Sequence, residues 1–434
     1  MKTSDIYQNE RMTKPFIYRA SQVRPDQYNV FNSRDKDIHR IKRRMVGQAL
    51  SDHSIRQFEP TLLQQIDMFL KNILTQSKAS SPMNMTPACR HLGLDVIGQL
   101  GFGYDLALQT KDEHRFLKDA IVFSNFRINL SMQFPPLIWL RPDYLVTLFP
   151  NSIRTRLLAV VKKMIVARLA QPVDAKHDLL SFIAPKLETD LKEIQEGELW
   201  PEAVFFFGAG GDTTATALAG AFFYLSRNPD CYRKLATEIR STFTSADEIR
   251  GGRQLASCRY LRACIDESLR MASPVPTTLW REQDPSEDGR RVLIVDGHVI
   301  PRGTLVGINI YSLHHNEKYF PNPFTFRPER WLENNESARA AFIPFSVGSR
   351  TCAGKPLAYQ EISLALAKTL WYFDFEPAPG ALGKVGGGNP DGADGKVRKD
   401  EFQLREIFGA YNDGPYLTFH RRGQYWEELM GDGN

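Results

Sequence analysis

One cysteine near the C-terminal end of the chain lies in a pattern that suits a metal ligand. The stretch Phe345-Ser-Val-Gly348-Ser-Arg350-Thr-Cys352-Ala-Gly354 precedes apolar residues spaced like one face of a helix. Backbone N–H groups and the positive end of a helix dipole would stabilise a thiolate at this helix start, and the glycines let the backbone pass close to a flat partner. The pattern therefore predicts a thiolate that binds a metal, with a buried structural thiol as the alternative.

The same stretch, written Phe-x-x-Gly-x-Arg-x-Cys-x-Gly, resembles the haem-ligand loop of the cytochrome P450 family. The resemblance implies that Cys352 is the axial thiolate of a haem b iron, a ligand that favours O–O cleavage. It also implies that Arg350 pairs with a haem propionate, since a guanidinium suits a carboxylate. Phe345, Gly348 and Gly354 would complete the haem-binding loop.

A second motif lies inside the strongest helical pattern of the chain, the apolar run from Trp200 to Arg227. Its centre, Ala209-Gly-Gly-Asp-Thr-Thr, resembles the distal helix of the same family, where a glycine-rich opening leaves a groove for dioxygen. A threonine hydroxyl can bond a carbonyl one turn back or turn to a ligand, and a neighbouring acid can relay protons from water. The resemblance implies that Thr213 delivers protons on the oxygen side and that Asp212 relays them, with a kink without chemistry as the alternative.

The length of this apolar run also raises the possibility of a membrane span. Glu202 and Asp212 argue against a span, because a charged side chain inside a bilayer costs several kcal/mol. A buried core helix is the better interpretation.

Two further patterns concern the support of the cysteine loop. Glu267 and Arg270 are three residues apart on a predicted helix, so they share one face, and on its own this Glu-x-x-Arg pattern is more often a surface ion pair. Arg330 lies in Phe326-Arg-Pro-Glu-Arg-Trp, which resembles the family's meander motif. The resemblance implies a buried network of Glu267, Arg270 and Arg330, in which the loss of one member would leave a buried charge unpaired.

The resemblance assigns two more arginines to the haem propionates. The family places Trp-x-x-x-Arg on one helix, and the matching spacing here is His39-x-x-x-Arg43, with histidine in place of tryptophan. Arg281 falls where the family has another propionate-binding arginine. A solvated basic face around Arg43 is one alternative, and Arg44 is another candidate for the propionate role. Lys42 or Arg44 is also expected to meet an acidic partner protein.

Composition limits the class of protein. The net charge of +5 is small against 55 basic and 50 acidic residues, so a nucleic-acid partner is not predicted. The hydrophobic content of 42% is ample for a large core, and five cysteines without disulfide or zinc spacing favour a reducing compartment. Residues 1–30 contain no apolar segment long enough for a signal peptide or a membrane anchor.

Most of the chain carries helical patterns, and strand patterns are confined to residues 292–310 and 402–419. The predicted fold class is therefore mostly α with a minor β part, and the resemblance, over residues 37–422, implies the cytochrome P450 fold. Residues 1–36 are expected to be irregular, and residues 37–434 to form a single haem-binding domain. Since family members carry a longer stretch before the helix with Arg43, the first helix and the outer strands of the small sheet are expected to be absent.

The function implied by the resemblance is haem-thiolate monooxygenation of a small organic substrate with O2. Thr351 and the C-terminal residues 401–415 resemble fungal members that act on secondary metabolites such as polyketides or terpenoids. No flavin or nicotinamide motif is visible in the sequence, so electrons are expected from NADPH through a separate cytochrome P450 reductase. A monomer at the cytosolic face of the endoplasmic reticulum is the family expectation.

Three alternatives stay open at this point. The chain could bind haem without turnover, because its N-terminus is short for the family. It could hydroxylate fatty acids or xenobiotics. It could also be a membrane protein without haem, because of the long apolar run.

Overall fold

A computed structural model describes residues 3–140, 152–172, 178–183, 197, 199–287, 292–392 and 395–430. Helix makes up 56% of the chain and strand 8%, which confirms the mostly α fold class. The helices are α1 (Thr3–Tyr7), α2 (Lys36–Ala49), α3 (Asp52–Lys78), α4 (Met85–Phe102), α5 (Leu117–Gln133), α6 (Pro136–Leu140), α7 (Ile153–Leu169), α8 (Leu179–Ile183), α9 (Leu199–Arg227), α10 (Pro229–Thr242), α11 (Arg253–Ser257), α12 (Arg259–Met271), α13 (Ile310–His314), α14 (Glu336–Ala341) and α15 (Lys355–Tyr372).

The strands are short and form small antiparallel sheets. They are β1 (Met12–Thr13), β2 (Met83–Asn84), β3 (Glu282–Gln283), β4 (Leu293–Val295), β5 (His298–Ile300), β6 (Phe373–Pro377), β7 (Arg405–Ile407), β8 (Gly409–Tyr411) and β9 (Tyr416–Arg421). The strand β9 lies between β2 and β6, and the pairs β1–β3, β4–β5 and β7–β8 complete the set. The strands predicted at residues 292–300 and within 402–419 are confirmed. The strand predicted at residues 305–310 is wrong: only isolated bridges form at Val306 and Asn309, and a helix begins at Ile310.

Local sequence explains where the main helices begin and end. The side chain of Asp35 caps α2 by accepting from the N–H groups of Asp37 and Ile38, and Asn84 caps α4 in the same way. The helix α4 ends at Gly103, whose φ of 57° is a left-handed conformation that glycine adopts at little cost. The predicted long helix is α9, and it ends immediately before Asn228-Pro229.

The core of the molecule is built on the crossing of α4 and α9. Gly93 of α4 lies against the backbone of Gly211 in α9, and a Cβ at Gly93 would overlap the Gly211 carbonyl oxygen. On the other side of the crossing, a Cβ at Gly211 would contact the side chain and backbone of Leu94. Two helices approach this closely only where both lack side chains, so the glycines of the Thr213 motif set the position of α9.

A substitution at this crossing should be costly. We expect Gly93→Ala to lower the free energy of unfolding by about 1–3 kcal/mol, because the added methyl group meets backbone that cannot rotate away. Gly101→Ala on the same helix is the matched control: a Cβ there has no heavy atom within 4 Å, so no loss is expected. Chemical denaturation of both variants measures the difference, and equal stabilities would contradict the tight crossing.

The first 36 residues are more ordered than predicted. They contain α1, β1 and a 3₁₀ helix over Phe16–Ser21, and β1 pairs with β3 across the sequence. Ile6, Tyr7 and Ile17 are buried, because this segment packs against later parts of the chain. The prediction of an irregular segment is therefore wrong for these elements, while the division of the chain at residue 37 stays a prediction.

Within the part of the chain that the structure describes, no helix combines the length and the apolar character of a membrane span. The helix α9 is instead buried along most of its length. Its first turn carries Glu202, which forms a buried ion pair with Lys42 of α2 at 3.2 Å.

Candidate active site

A cavity of about 400 Å³ separates the centre of α9 from the cysteine loop. Asp212 and Thr213 line it from one side, and Phe345, Arg350 and Cys352 line it from the other. The two motifs that sequence analysis singled out are more than a hundred residues apart in the chain. The fold brings them to opposite walls of one chamber.

The cysteine loop is held in a fixed shape by its own backbone. The N–H of Cys352 donates to the carbonyl of Phe345 at 2.8 Å, and the N–H of Thr351 donates to the carbonyl of Gly348 at 3.1 Å. Gly348 has a φ of 78°, and a Cβ there would overlap the carbonyl oxygen of Tyr7 in α1. Position 348 therefore requires glycine both for its backbone conformation and for its contact with the N-terminal segment.

The surroundings of the Cys352 thiol have opposing effects on its ionisation. Burial raises the pKa of the Cys352 thiol, whereas the backbone N–H groups of Gly354 and Lys355 and the charge of Arg43 lower it. The sulfur is accessible because it faces the cavity. The helix α15 begins at Lys355, three residues after the cysteine rather than at it, so the sulfur lies just ahead of the helix start. A cation in the cavity would favour the thiolate further.

Five basic side chains line one edge of the same cavity: Lys14, His39, Arg43, Arg281 and Arg350. Arg43, Arg281 and Arg350 were predicted there, and Lys14 was not. Burial and the charges of Arg281 and Arg350 lower the pKa of Lys14 well below its usual range. The pKa of His39 falls to about 3 for the same physical reasons, burial first and then its cationic neighbours.

The lysine and the three arginines of this set lack carboxylate partners at hydrogen-bond distance in the described residues. Lys14 donates to the carbonyl of Phe31, Arg350 donates to the carbonyl of Ser33 at 2.7 Å, and Arg281 donates to that of Trp280 at 2.9 Å. Buried positive charges are ordinarily paired with acids. A cluster of them with only carbonyl partners is therefore suited to an anionic group in the cavity.

The opposite wall contains the Thr213 motif. The hydroxyl of Thr213 donates to the carbonyl of Ala209 at 2.8 Å, one turn back along α9. The carboxylate of Asp212 accepts from Nε of Arg90 in α4 at 3.0 Å and from the amide of Asn125 at 3.5 Å. Burial raises the pKa of Asp212, and the Arg90 guanidinium opposes that shift. Asp212 can therefore exchange protons only by weakening its ion pair with Arg90. The sequence analysis did not identify Arg90 as a site residue.

The structure also brings together the three residues of the predicted charged network. Glu267 accepts two hydrogen bonds from Arg270, both at 2.9 Å, and a third from Nε of Arg330 at 3.0 Å. The backbone N–H of Arg327 and the indole N–H of Trp331 also donate to it, each at 3.0 Å. Both Glu267 and Arg270 are fully buried. The carboxylate is thus saturated with donors, and its charge is balanced by two guanidinium groups.

One predicted surface role does not fit the geometry. Lys42 is buried and ion-paired with Glu202, so it is not available to an acidic partner protein. The reason is local: Lys42 lies on the inward face of α2, whereas Arg44 on the same helix is exposed. Of the two proposed docking residues, Arg44 alone stays a prediction.

Comparisons with known proteins agree on the family. The cytochrome P450 family model matches residues 1–384. A cytochrome P450 monooxygenase of Gibberella zeae is 36% identical over 430 residues, which cover 97% of this chain and 98% of that protein. The cytochrome P450 monooxygenase poxM of Penicillium oxalicum is 35% identical over 91% of this chain and 74% of its own length. The crystal structure of a cytochrome P450, CYP102L1, superposes with a TM-score of 0.73 at 20% identity, over 96% of this chain and 86% of that one.

Fold and cavity, with a cysteine loop across from a glycine-containing helix, agree with the class of protein that these comparisons indicate. The chain belongs to the cytochrome P450 family, and its enzyme class is that of the cytochrome P450 monooxygenases. The cofactor of this class is a haem with a cysteine-ligated iron. Enzymes of this class act on small organic substrates with O2 and a redox partner.

The residues of the cavity fit that cofactor. In the described part of the chain, no carboxylate lies at hydrogen-bond distance from the lysine and arginines of the cavity edge, and the two propionates of a haem would supply that charge. Cys352 supplies the sulfur, and Gly354 next to it leaves open space on the cavity side, with only the Cys352 sulfur within 4 Å of a Cβ placed there.

Lys14 offers a test of this fit. We expect Lys14→Met to speed haem loss by about 10-fold or more, since a hydrogen bond to a charged group contributes about 1.5–3 kcal/mol. The apoprotein should not lose stability, because the variant removes a buried cation that is only 5% exposed and has a carbonyl as its hydrogen-bond partner. Haem transfer to apomyoglobin measures the first effect and thermal unfolding of the apoprotein the second. Lys36→Met, at an exposed lysine paired with Asp284, is the control, and equal haem loss in both variants would contradict the assignment.

Proposed function

We propose that this enzyme oxidises a small, largely apolar organic substrate, a fungal secondary metabolite such as a polyketide or a terpenoid. The observation that carries the proposal is the aromatic wall of the cavity. Phe31 stacks on Phe205 with ring centroids 5.1 Å apart, and Phe408 meets Phe31 edge-on at 5.6 Å. Such a wall favours flat or hydrocarbon-rich molecules over charged ones. Ser124 and Asn125 are the nearby polar groups that would orient a substrate oxygen.

The proposed roles of the chain's own residues follow from their positions. Haem, when bound, supplies the iron that activates dioxygen, and the Cys352 thiolate pushes electron density toward it. The basic cluster at Arg43, Arg281 and Arg350 would hold the haem propionates. The Thr213 hydroxyl can leave the Ala209 carbonyl and offer its proton to a ligand in the cavity that Thr213 lines. The network around Glu267 supports the cysteine loop from behind.

The substitution Thr213→Ala tests the oxygen-side role. We expect the variant to keep its haem spectrum and to divert electrons from product to peroxide, because it lacks the hydroxyl proposed to supply protons to the cavity. Product formed per NADPH consumed should fall by about 10-fold or more. Thr213→Ser, which keeps a hydroxyl, should recover most of the coupling. Unchanged coupling in Thr213→Ala would contradict the proposed role.

We further propose that electrons come from NADPH through a separate cytochrome P450 reductase, that the enzyme is a monomer, and that it works at the cytosolic face of the endoplasmic reticulum. Exposed Arg44 is the residue of α2 that would meet an acidic reductase surface. Arg44→Glu should then raise the reductase concentration needed for half-maximal turnover, without changing the ferrous-CO spectrum. An unaltered reductase dependence would argue against docking on α2.

Substrate identity is best tested in the organism. Deletion of the gene should remove one metabolite and accumulate its less oxidised precursor, and the purified enzyme with reductase should convert that precursor. A lost fatty-acid or xenobiotic product instead would favour the alternative hydroxylase function. A normal ferrous-CO spectrum without any NADPH-dependent product would favour haem binding without turnover.

A further inference from the structure

A tyrosine on α15 connects the cysteine loop with the surface of the protein. The ring of Phe345, which lines the cavity, contacts the ring of Tyr359 with centroids 5.2 Å apart. The guanidinium carbon of Arg262, from α12, lies 3.6 Å from the centroid of the Tyr359 ring. Tyr359 is 9% exposed, whereas the side chain of Arg262 is 51% exposed. Phe345, Tyr359 and Arg262 thus form a continuous series of contacts from the cavity to solvent.

The hydroxyl of Tyr359 has a carboxylate as its acceptor. It donates to Oδ1 of Asp266 at 2.6 Å, and Nε of Arg262 donates to the two oxygens of the same carboxylate at 3.1 and 3.0 Å. Burial and the charge of Asp266 raise the pKa of the Tyr359 hydroxyl, so the phenol stays protonated at neutral pH. Burial also raises the pKa of Asp266, which makes its carboxylate a better proton acceptor than an exposed one. Because oxidation turns a phenol into a strong acid, Tyr359 can pass its proton to Asp266 when it gives up an electron.

Tyr18 is the tyrosine that lines the cavity directly, yet it lacks this arrangement. Nζ of Lys14 lies over its ring, 4.6 Å from the centroid, and Arg281 is a further cationic neighbour. Across the described ranges, no carboxylate accepts a hydrogen bond from its hydroxyl. Oxidation of Tyr18 would therefore release a proton among buried cations, whereas Asp266 can accept the proton of Tyr359.

We propose that Tyr359 is a redox-active residue that carries oxidising equivalents from the cavity to the surface, and so gives the enzyme a peroxidase-type activity toward small one-electron donors. Tyr359 loses one electron, by way of Phe345, to haem iron that hydrogen peroxide has oxidised, and its hydroxyl proton moves to Asp266. A donor near Arg262 then returns one electron, and the proton returns from Asp266 to the tyrosine oxygen. Each hydrogen peroxide takes up two electrons from two donors and two protons from solvent, and yields two molecules of water. This activity goes beyond the proposed oxidation of an organic substrate, since it needs neither that substrate nor a reductase.

The charge at the surface end of this path favours an anionic donor. Arg259 and Arg262 lie three residues apart on α12, so they share one face, and both are exposed. Exposed cations raise the local concentration of small anions. Ascorbate, which is an anion at neutral pH and a one-electron donor, is therefore the probe that suits this site.

Electron paramagnetic resonance tests the redox role directly. Holoenzyme free of substrate, mixed with hydrogen peroxide and frozen within milliseconds, should give the signal of a neutral tyrosyl radical, narrowed when the protein is made with ring-deuterated tyrosine. The signal should be lost in Tyr359→Phe, which keeps the ring that contacts Phe345. It should also be lost in Asp266→Asn, which keeps the tyrosine but replaces its proton acceptor by an amide. A wild-type enzyme without the radical, or a radical that persists in Tyr359→Phe, would overturn the proposal.

Tyr232 provides the matched control for this experiment. Its hydroxyl donates to Asp374 at 2.8 Å, and Arg240 pairs with the same carboxylate at 2.7 Å, so the tyrosine, acid and arginine of the Tyr359 site are repeated. The ring of Tyr232 contacts Phe375, which does not line the cavity. Tyr232→Phe should therefore keep the radical signal, and its loss in this variant would contradict a path from the cavity through Tyr359.

Bleaching of the haem by peroxide gives a second readout. Ascorbate should slow the bleaching of the wild-type enzyme and of Tyr232→Phe, because electrons that reach Tyr359 remove the excess oxidising equivalents. The protection should be lost in Tyr359→Phe. Equal protection by ascorbate in all three proteins would contradict electron transfer through Tyr359. No organic substrate is added, so a failure of the proposed monooxygenation would leave both readouts intact.

Discussion

Cys352→Ala should abolish the thiolate-ligated haem spectrum completely. Cys352 is the cysteine of the described chain that lines the cavity, and its sulfur lies beside Arg43 and the N–H groups of Gly354 and Lys355. No other thiol of the described chain can therefore take its place. The ferrous-CO complex should lose the absorbance typical of thiolate ligation, and monooxygenase activity should fall to background.

Cys231→Ala is the matched control for this experiment. Cys231 is half-buried on α10 and does not line the cavity, so its loss should leave the ferrous-CO spectrum unchanged. Retention of thiolate-type absorbance in Cys352→Ala, or its loss in Cys231→Ala, would refute the ligand assignment.

Glu267→Gln should be the most destabilising single change outside the cavity. The variant keeps the shape of the side chain but leaves the guanidinium groups of Arg270 and Arg330 buried without their counter-charge. Breaking a buried ion pair from one side costs about 3–5 kcal/mol. We therefore expect a large fall in the free energy of unfolding and poor haem retention, because Arg330 and Trp331 lie in the segment that leads to the cysteine loop.

Denaturation followed by tryptophan fluorescence and by haem absorbance measures both effects of Glu267→Gln. Glu376→Gln is the control, since Glu376 pairs with His420 where both side chains are more than half exposed. Exposed pairs contribute about 0–1 kcal/mol. Similar losses in the two variants would show that the network around Glu267 contributes no more than a surface ion pair.

Short-range patterns in the sequence were sufficient to predict several parts of this molecule. The apolar run that became α9, the strands around Asp296-Gly297 and the helical pattern after Cys352 each reflect a periodicity within one segment. The pairing of Glu267 with Arg270 is also local, at three residues along one helix. The prediction that Arg330 belongs to the same network depended on the family resemblance, because 63 residues separate Arg330 from Glu267.

The remaining features depend on contacts between distant segments. Arg90 meets Asp212 across 122 residues, and nothing in the local sequence around Arg90 indicates a partner. Lys14 lies in a proline-containing stretch that was predicted to be irregular, although packing buries it beside Arg281 and Arg350.

The contact between Gly348 and the carbonyl of Tyr7 has a practical consequence for work with this protein. The ring of Tyr7 also lies under the guanidinium of Arg281 at 5.0 Å, and its hydroxyl accepts from the N–H of Ile308 at 2.9 Å. We expect Tyr7 to be lost if the chain is trimmed to a start near Phe16, and to be displaced if a rigid tag is fused directly at α1. Either change would disturb the contacts of Tyr7 with the cysteine loop and with Arg281. Purification tags are therefore better attached at the other end of the polypeptide.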